Sequence, residues 1–439
     1  MNYYDLLRDV CNNQPNRILL QTDEYCYSYR EMLSLADYLA NKAGLTEAVT
    51  GKIILILAKG PGYQAGAFLA LEKMGAVPVL LHGDCKPEVM NKIVERNDIY
   101  GLWQINSQDN TLRVVNSPSN SPVANAVMGV LTSGTTGTPK ILYRTYASWV
   151  DFFPTQNKVF GVDDNARMFI HGSLSFTGNL NMFLAVLWAG GTIITCDRMH
   201  GGYWHKLLYK QQVTHIYAVP TKLQLLGRGK NNTNLLVKWL ISGSQLFTRE
   251  NQMGLVAAFP QAKIITYYGS SELSYISFKV LEDNREINNL GVPFDNIKVS
   301  SDQGRLYVET PFHVIGIKGR YCCGDTGYVN DRGEIIYTGR QSDWINKGGY
   351  KISCIKLCQE IRQMKGVRDV AVLPVKDQLK GQEIAAFVVA EPEITSGNLR
   401  KMFFNYLDER ERPKKIVFLR ELPLNDRGKV DNCRLQEYL

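Results

Sequence analysis

The sequence has no apolar run long enough to cross a bilayer, no block of like charge, no set of Cys and His at zinc-site spacing and no complete Walker A loop. Its longest nearly uncharged apolar stretch, Met182 to Thr195, is interrupted by Gly190 and Gly191 and falls short of the ~20 residues a spanning helix needs. No membrane span is therefore expected. The formal net charge is only +8 and is spread along the chain, so no nucleic-acid face is expected, while small anions such as nucleotides remain admissible partners. The nine cysteines are odd in number and irregularly spaced, and the start, MNYYDLLRDV, has neither the basic nor the apolar region of a secretory signal. A reduced, cytoplasmic setting follows. Cys322 and Cys323 are adjacent and Cys354 and Cys358 stand four apart, but no second pair completes a four-ligand zinc set, so all four are expected to be buried thiols.

What is present is a chain of 439 residues, 45% apolar and 21% charged, long enough for two to three domains with a sizeable core. From Lys52 onward, short β-branched runs alternate with longer segments of helical period, the pattern of βαβ units in a largely parallel sheet. Strands are expected at Ile53 to Leu57 and Val77 to Leu81, with helices at Tyr63 to Lys73 and Glu88 to Arg96. The polar stretch Asn106 to Asn125 reads as a surface loop with an edge strand near Arg113 to Val115, and a second α/β layer is expected to begin after it. That layer would include strands at Met168 to Ile170, Thr192 to Thr195, His215 to Val219, Val237 to Ile241 and Lys263 to Tyr267, and a helix at Leu180 to Trp188. Beyond Asn288 short strands punctuated by Gly and Asp form a β-rich module, and after Gly339 a small α+β pattern follows. The expected fold is thus α/β: a large N-terminal lobe of α/β layers plus the β-rich module, residues 1–340, and a small α+β C-terminal domain, residues 341–439.

The densest chemical signal is Leu131 to Lys140, LTSGTTGTPK, directly after the apolar run Val127 to Val130. Small residues in succession let backbone N–H groups and hydroxyls converge on an anion, and the terminal Lys adds charge. A Walker A loop would open a helix after Gly-Lys, whereas here Pro139 precedes Lys140 and ILYR reads as a strand. On composition alone the loop is a turn or a phosphate cradle.

At this point the chain resembles the acyl-adenylate-forming superfamily, which includes acyl-CoA synthetases, adenylation domains of peptide synthetases and luciferases. Five segments carry the resemblance, in order: Thr132 to Lys140; Tyr268-Gly269-Ser270-Ser271-Glu272; Gly324-Asp325-Thr326-Gly327; Gly339-Arg340-Gln341-Ser342-Asp343 with Gly348-Gly349-Tyr350-Lys351-Ile352; and Leu422 to Lys429, LPLNDRGK. Read singly, Glu272 is a loop carboxylate, GDTGYVNDRGE a hairpin and Lys429 a solvated charge.

The resemblance implies joining of a carboxylic acid to AMP from ATP with release of pyrophosphate, then transfer to a thiol. The acceptor would be CoA, the acid a small molecule with fatty acids among the choices, and the protein an AMP-forming acid–thiol ligase. It implies a phosphate loop of Thr132, Ser133, Gly134, Thr135, Thr136, Gly137 and Lys140. Further nucleotide contacts would come from Gly243, Ser244, Tyr267, Tyr268, Gly269, Ser270, Ser271, Asp325 on the ribose and Arg340. Glu272 would hold Mg²⁺, because a carboxylate beside a triphosphate is tolerable only with a cation between them. Lys429, Glu272, Thr132 and Lys140 would carry catalysis; Phe176, as gate, with Asn179, Gly243 and Gly269 would line the acid pocket. Gly349 and Lys351 would border the thiol channel, and Ser342 and Asp343 would form the hinge of a mobile C-terminal domain. His171 reads as structural, since an ionised acid needs no base. Two alternatives stay open: a stand-alone adenylating enzyme that loads the phosphopantetheine of an acyl carrier protein, and a nucleotide-binding relative with impaired catalysis. Departures from the family pattern fall at Ile141, where relatives carry Gly, and at Cys322 and Cys323.

Overall fold

A computed structural model describes residues 1–43, 49–105, 110–115, 123–132, 139–227, 233–243, 249–281, 288–340, 344–377, 380–424 and 430–439. The chain divides into two compact units. The first is Met1–Ile287 with Pro293–Ile297 and Glu309–Gly319; the second is Asn288–Val292, Lys298–Val308 and Arg320–Leu439.

The first unit is α/β. Among the described residues a six-stranded sheet runs in the order Asn110–Val114, Gly101–Ile105, Ile53–Ala58, Val77–Leu80, Met128–Thr132, Lys140–Arg144. Its central pairs are parallel and its two outermost pairs antiparallel. The β-branched and leucine-rich cores of Ile53–Ala58 and Val77–Leu80 are buried on both faces, as parallel strands covered by helices must be. Helix Pro61–Lys73 starts on Pro61, whose missing N–H would have been unpaired at that position anyway.

A nine-stranded sheet forms the second layer. Eight of its strands run Ser274–Val280, Lys263–Ser270, Trp239–Gly243, His215–Tyr217, Arg167–Ile170, Thr192–Ile194, Ile18–Gln21, Cys26–Ser28. The six from Lys263–Ser270 to Ile18–Gln21 are mutually parallel. The second layer therefore does not begin after the polar stretch, as expected. Met128–Thr132 pairs with Val77–Leu80 and completes the first sheet, while the second is joined by strands from the N-terminal region, where sequence reading placed no element. The helix Tyr29–Lys42 in that region carries a legible start signal. The Ser28 hydroxyl accepts from the Glu31 N–H at 3.2 Å and the Glu31 carboxylate accepts from the Ser28 N–H at 2.7 Å, a reciprocal cap.

Expected strand and helix positions otherwise agree within a few residues, with two shifts that matter for the site. Helix Thr177–Ala189 starts ahead of Leu180, which puts Phe176 at its N-cap and Gly178 and Asn179 in its first turn. Strand Lys263–Ser270 runs past Tyr267, so Tyr268 to Ser270 lie in the sheet.

In the second unit a four-stranded sheet, Lys298–Asp302, Arg305–Glu309, Asp325–Val329 and Ile335–Arg340, is the expected β-rich module. A five-stranded sheet is built on the long antiparallel pair Val367–Asp377 and Gly381–Ala390, with Lys415–Phe418 added in parallel. Helices Cys354–Arg362 and Ser396–Tyr406 supply Leu357, Ile361, Leu399 and Phe403 to its core. Cys354 is buried, but Cys322, Cys323 and Cys358 are half-buried, so the expectation of four buried thiols holds only for Cys354. The first two lie next to the turn at Gly324, whose N–H donates to the Cys322 sulfur at 3.4 Å. Among the described residues no helix is long and apolar enough to cross a membrane.

Candidate active site

Two antiparallel hairpins in the first unit carry the leading candidates. In the first, Met128–Thr132 pairs with Lys140–Arg144 in unbroken register, Met128 opposite Arg144 and Thr132 opposite Lys140. Thr132 and Lys140 therefore flank the mouth of the small-residue loop, their Cα atoms about 5 Å apart. Thr132 is half-buried and Lys140 exposed. Ser133, Gly134, Thr135, Thr136 and Gly137 lie outside the described residues, as do Ser244, Ser342, Asp343 and Lys429.

The second hairpin pairs Lys263–Ser270 with Ser274–Val280 and turns through Ser271, Glu272 and Leu273, with a register shift at Tyr268 and Gly269. The Ser270 hydroxyl accepts from the Leu273 N–H at 3.2 Å, and Ser274 takes the left-handed conformation, φ 65°, that closes a three-residue turn. Glu272 is half-buried at the tip, and its carbonyl accepts from the Val314 N–H at 2.9 Å.

Arg144, at the base of the first hairpin, holds this tip. Fully buried, it donates to the Ser271 carbonyl at 2.7 Å, to the Phe312 carbonyl at 3.1 Å and to the Ser148 hydroxyl at 3.4 Å, and it lies over the Trp149 ring at 4.9 Å. Burial lowers its pKa to about 10, with Tyr3 and Glu272 drawing it back up, so it is cationic at neutral pH. The Trp149 Nε1–H donates to the Ser274 hydroxyl at 2.9 Å, and that hydroxyl donates to Phe312 O at 3.1 Å. A desolvated guanidinium is costly unless its donors are used; here the two terminal nitrogens fasten the segments around Glu272, while Nε is buried without a hydrogen-bond partner among the described residues. Nothing in the sequence marks Arg144, which reads as an ordinary strand-end charge.

The parallel pairing of the nine-stranded sheet runs out at Ile170 opposite Tyr217, Tyr217 opposite Ile241 and Gly243 opposite Tyr267, and open α/β sheets bind ligands beyond the carboxyl ends of such strands. Gly243 is buried against the Tyr267 ring. Tyr267 faces Tyr217 and Tyr275, and strand alternation puts Tyr268 on the opposite face. Gly269 sits opposite Tyr275 in the register, and Ser270 opposite Ser274.

The segment after Ile170 is pinned by Gln64 of helix Pro61–Lys73, whose side-chain amide donates to Ser173 Oγ at 2.9 Å and accepts from the Leu174 N–H at 2.8 Å. The Asn179 amide donates to Ser173 O at 3.0 Å, the Phe176 ring lies 5.7 Å from that of His82, and Thr177 Oγ1 stands 3.4 Å from Ser271 Oγ. Phe176, Asn179 and Glu272 are thus drawn toward one locality. Lys222 donates to His171 O at 2.9 Å, and burial lowers its pKa. His171 packs on Trp204 at 4.8 Å; burial, then Lys222, lower its pKa to about 4, so it is neutral at pH 7. Gln64 and Lys222 had no sequence signal, because their partners are distant in the chain.

In the second unit Asp325 and Arg340 are register partners joined by an ion pair, Arg340 Nε to Asp325 Oδ1 at 2.7 Å, with the Asp325 side chain only 2% exposed. Gly348 and Gly349, φ 59° and 89°, form the two-residue turn between Trp344–Lys347 and Tyr350–Ser353, a turn that requires left-handed residues at both positions. Open space lies beyond Gly349, and Lys351 is exposed on the following strand.

Among the described residues no three His, Cys, Asp or Glu side chains cluster as a metal cage. A half-buried carboxylate at a fixed turn instead suits Mg²⁺, which keeps waters and is shared with substrate phosphates.

The sequence model of the AMP-binding enzyme family matches residues 103–339, and that of the AMP-binding enzyme C-terminal domain matches residues 359–429. The chain belongs to the AMP-binding, adenylate-forming enzymes. Among relatives of this adenylate-forming ligase, the uncharacterized acyl–CoA ligase YhfT of Bacillus subtilis is 24% identical over 98% of this chain and 97% of its own. The vibriobactin-specific 2,3-dihydroxybenzoate-AMP ligase of Vibrio cholerae is 23% identical over 98% and 93%. The solved structure of the o-succinylbenzoate coenzyme A synthetase MenE from Bacillus subtilis, in complex with ATP and magnesium ion, shares the fold of this AMP-binding enzyme. Its TM-score is 0.84 at 19% identity, covering 98% of this chain and 99% of that one.

Proposed function

We propose that this adenylate-forming enzyme activates a small carboxylic acid with ATP and passes the acyl group to the thiol of CoA. A carboxylate oxygen attacks the α-phosphorus, the bond from that phosphorus to the bridging oxygen breaks, and pyrophosphate leaves with the electron pair. The thiol sulfur then attacks the acyl carbon and AMP departs. The single observation that supports this reading most is the Arg144 link. It ties the base of the Thr132/Lys140 hairpin to the Glu272 turn, the two segments to which this reading gives the phosphates and the metal.

In this reading the loop from Thr132 through Ser133, Gly134, Thr135, Thr136 and Gly137 to Lys140 grips the β- and γ-phosphates. Glu272 holds Mg²⁺, which supplies charge neutralisation on the phosphates when bound. Gly243, Ser244 and Tyr268 to Ser271 surround the base and α-phosphate, and Tyr267 backs Gly243 on the acid side. Asp325 receives the ribose hydroxyls with Arg340 beside it. Lys429 offsets the charge that grows as the anionic acid meets the polyphosphate, a contribution worth ~10²- to 10³-fold in rate. The C-terminal domain, residues 341–439, turns on Ser342 and Asp343 between the half-reactions, and Gly349 and Lys351 flank the arriving thiol arm.

Carboxylate-dependent ATP–pyrophosphate exchange over aliphatic, aryl and amino acids tests the first half; thioester formation with free CoA against a phosphopantetheinylated carrier protein tests the second. Exchange with one acid class and transfer to CoA are expected. Transfer only to the carrier would establish the loading enzyme, in keeping with an aryl-AMP ligase among the relatives, and silence with every acid would establish the impaired relative. Lys429→Ala is expected to remove most exchange while sparing thioester formation from supplied acyl-AMP; equal loss in both would refute the role given to Lys429.

A further inference from the structure

The residues proposed to line the acid pocket enclose a space that the chain fills with its own side chains. Gly178, in the first helical turn between Phe176 and Asn179, lies so close to Tyr217 that a Cβ on it would stand 2.2 Å from the phenol oxygen. Across from it, a Cβ on Gly243 would stand 2.4 Å from the Tyr267 ring. The rings of Tyr217 and Tyr267 stack with centroids 6.0 Å apart and planes 5° apart, and their hydroxyls meet at 2.5 Å. Tyr275 completes the group: its ring centroid lies 4.4 Å from that of Tyr267, and its hydroxyl donates to Tyr217 Oη at 3.4 Å. Tyr217 and Tyr275 are 6% and 5% exposed. Behind them stand Phe160, 5.4 Å from Tyr275, and Phe294, stacked on Tyr275 at 6.4 Å.

Between the start of the helix and the ends of the strands there is therefore a slab of rings whose hydroxyls bond one another. An acyl chain that passed the Phe176 gate and ran between Gly178 and Gly243 would have to expel a ring and break that hydroxyl contact. Burial also raises the pKa values of Tyr217 and Tyr275 well above the ordinary phenol value, so both stay neutral and neither offers charge to a polar tail.

Resting on the ligase reading above, we propose that Tyr217, backed by Tyr267 and Tyr275, closes the acid pocket to all but short aliphatic acids. Tyr217 is the residue that sets chain length. Gly178 and Gly243 belong to the same device, because a side chain at either position would displace the ring it touches.

The test uses the full chain in ATP–pyrophosphate exchange with acetate, propionate, butyrate, hexanoate, octanoate and benzoate. The wild-type kcat/KM is expected to be highest between acetate and butyrate and to fall by ~10²-fold or more toward octanoate and benzoate. Tyr217→Ala is expected to move the optimum toward hexanoate or octanoate with a rise in KM for acetate. Wild-type enzyme that uses octanoate or benzoate as well as butyrate would overturn the proposal and leave the ligase reading standing. So would a folded Tyr217→Ala, judged by circular dichroism and retained ATP binding, whose profile is unchanged. Should that variant fail to fold, the wild-type chain-length profile decides alone. Silence of the wild type with every acid would instead remove the ligase reading, and this proposal with it.

Discussion

The hairpins Met128–Thr132/Lys140–Arg144 and Lys263–Ser270/Ser274–Val280 are comparable, each adding an antiparallel strand where the parallel run of its sheet stops, yet they are held by different forces. The first rests on aliphatic packing: Ile141 lies in a cluster with Val79 and Leu55, with Leu131 and Tyr143 against it. Its pairing is regular to the last residue, and a long connection of small residues spans Thr132 and Lys140. The second turns through three residues and is fixed by polar anchors: the Ser270 hydroxyl, the Trp149–Ser274–Phe312 chain and the Arg144 guanidinium. The difference fits the proposed tasks. Backbone amides that wrap a phosphate need a length of unencumbered chain, whereas a lone carboxylate that orients a cation needs one fixed point.

The comparison can be broken most directly at Glu272. Glu272→Gln keeps shape and removes charge, and it should lower ATP–pyrophosphate exchange by ~10²- to 10³-fold with an unchanged unfolding midpoint. Wild-type exchange in this variant would show that the fixed point holds no cation. Next in size is Arg144→Met, which leaves the buried carbonyls of Ser271 and Phe312 without that donor. Urea denaturation should show a loss of about 3 kcal/mol, and the magnesium concentration for half-maximal exchange should rise. A stability loss without the magnesium effect would make Arg144 a core residue only. In the first hairpin Ile141→Ala should cost about 2 kcal/mol by the same measurement and leave the magnesium requirement alone, since its contacts are apolar. The smallest effect is expected for Ser274→Gly, which tolerates φ 65° and deletes only the hydroxyl that links Trp149 to Phe312: about 1 kcal/mol, with little change in exchange. A larger drop in exchange there than in Arg144→Met would reverse the order of the anchors.

Much of the architecture was legible because it is local. The β-branched runs at Ile53 and Val77 and the Pro and Gly punctuation around Tyr63 to Lys73 announce βαβ units, whereas TSGTTGTPK by composition is a turn or a phosphate cradle and takes its assignment from the family resemblance. The reciprocal cap of Ser28 and Glu31 was equally readable. Arg144, Gln64, Tyr217 and Lys222 were not. Each acts on a group far along the chain: Arg144 reaches Ser271 and Phe312, which lie 127 and 168 residues further on, and no local pattern encodes such a meeting.

The sequence by itself determined the family, the order of the five segments that carry it, and the alternation of strand and helix, because those depend on residue type and on spacing within a few turns. Only the tertiary structure decided that the strand pair Met128–Thr132/Lys140–Arg144 completes the first sheet, that a buried guanidinium steadies Glu272, and that three tyrosines fill the ground behind Gly178 and Gly243. These follow from packing between segments far apart in the chain, where close-packed volume and the pairing of desolvated polar groups select the neighbours.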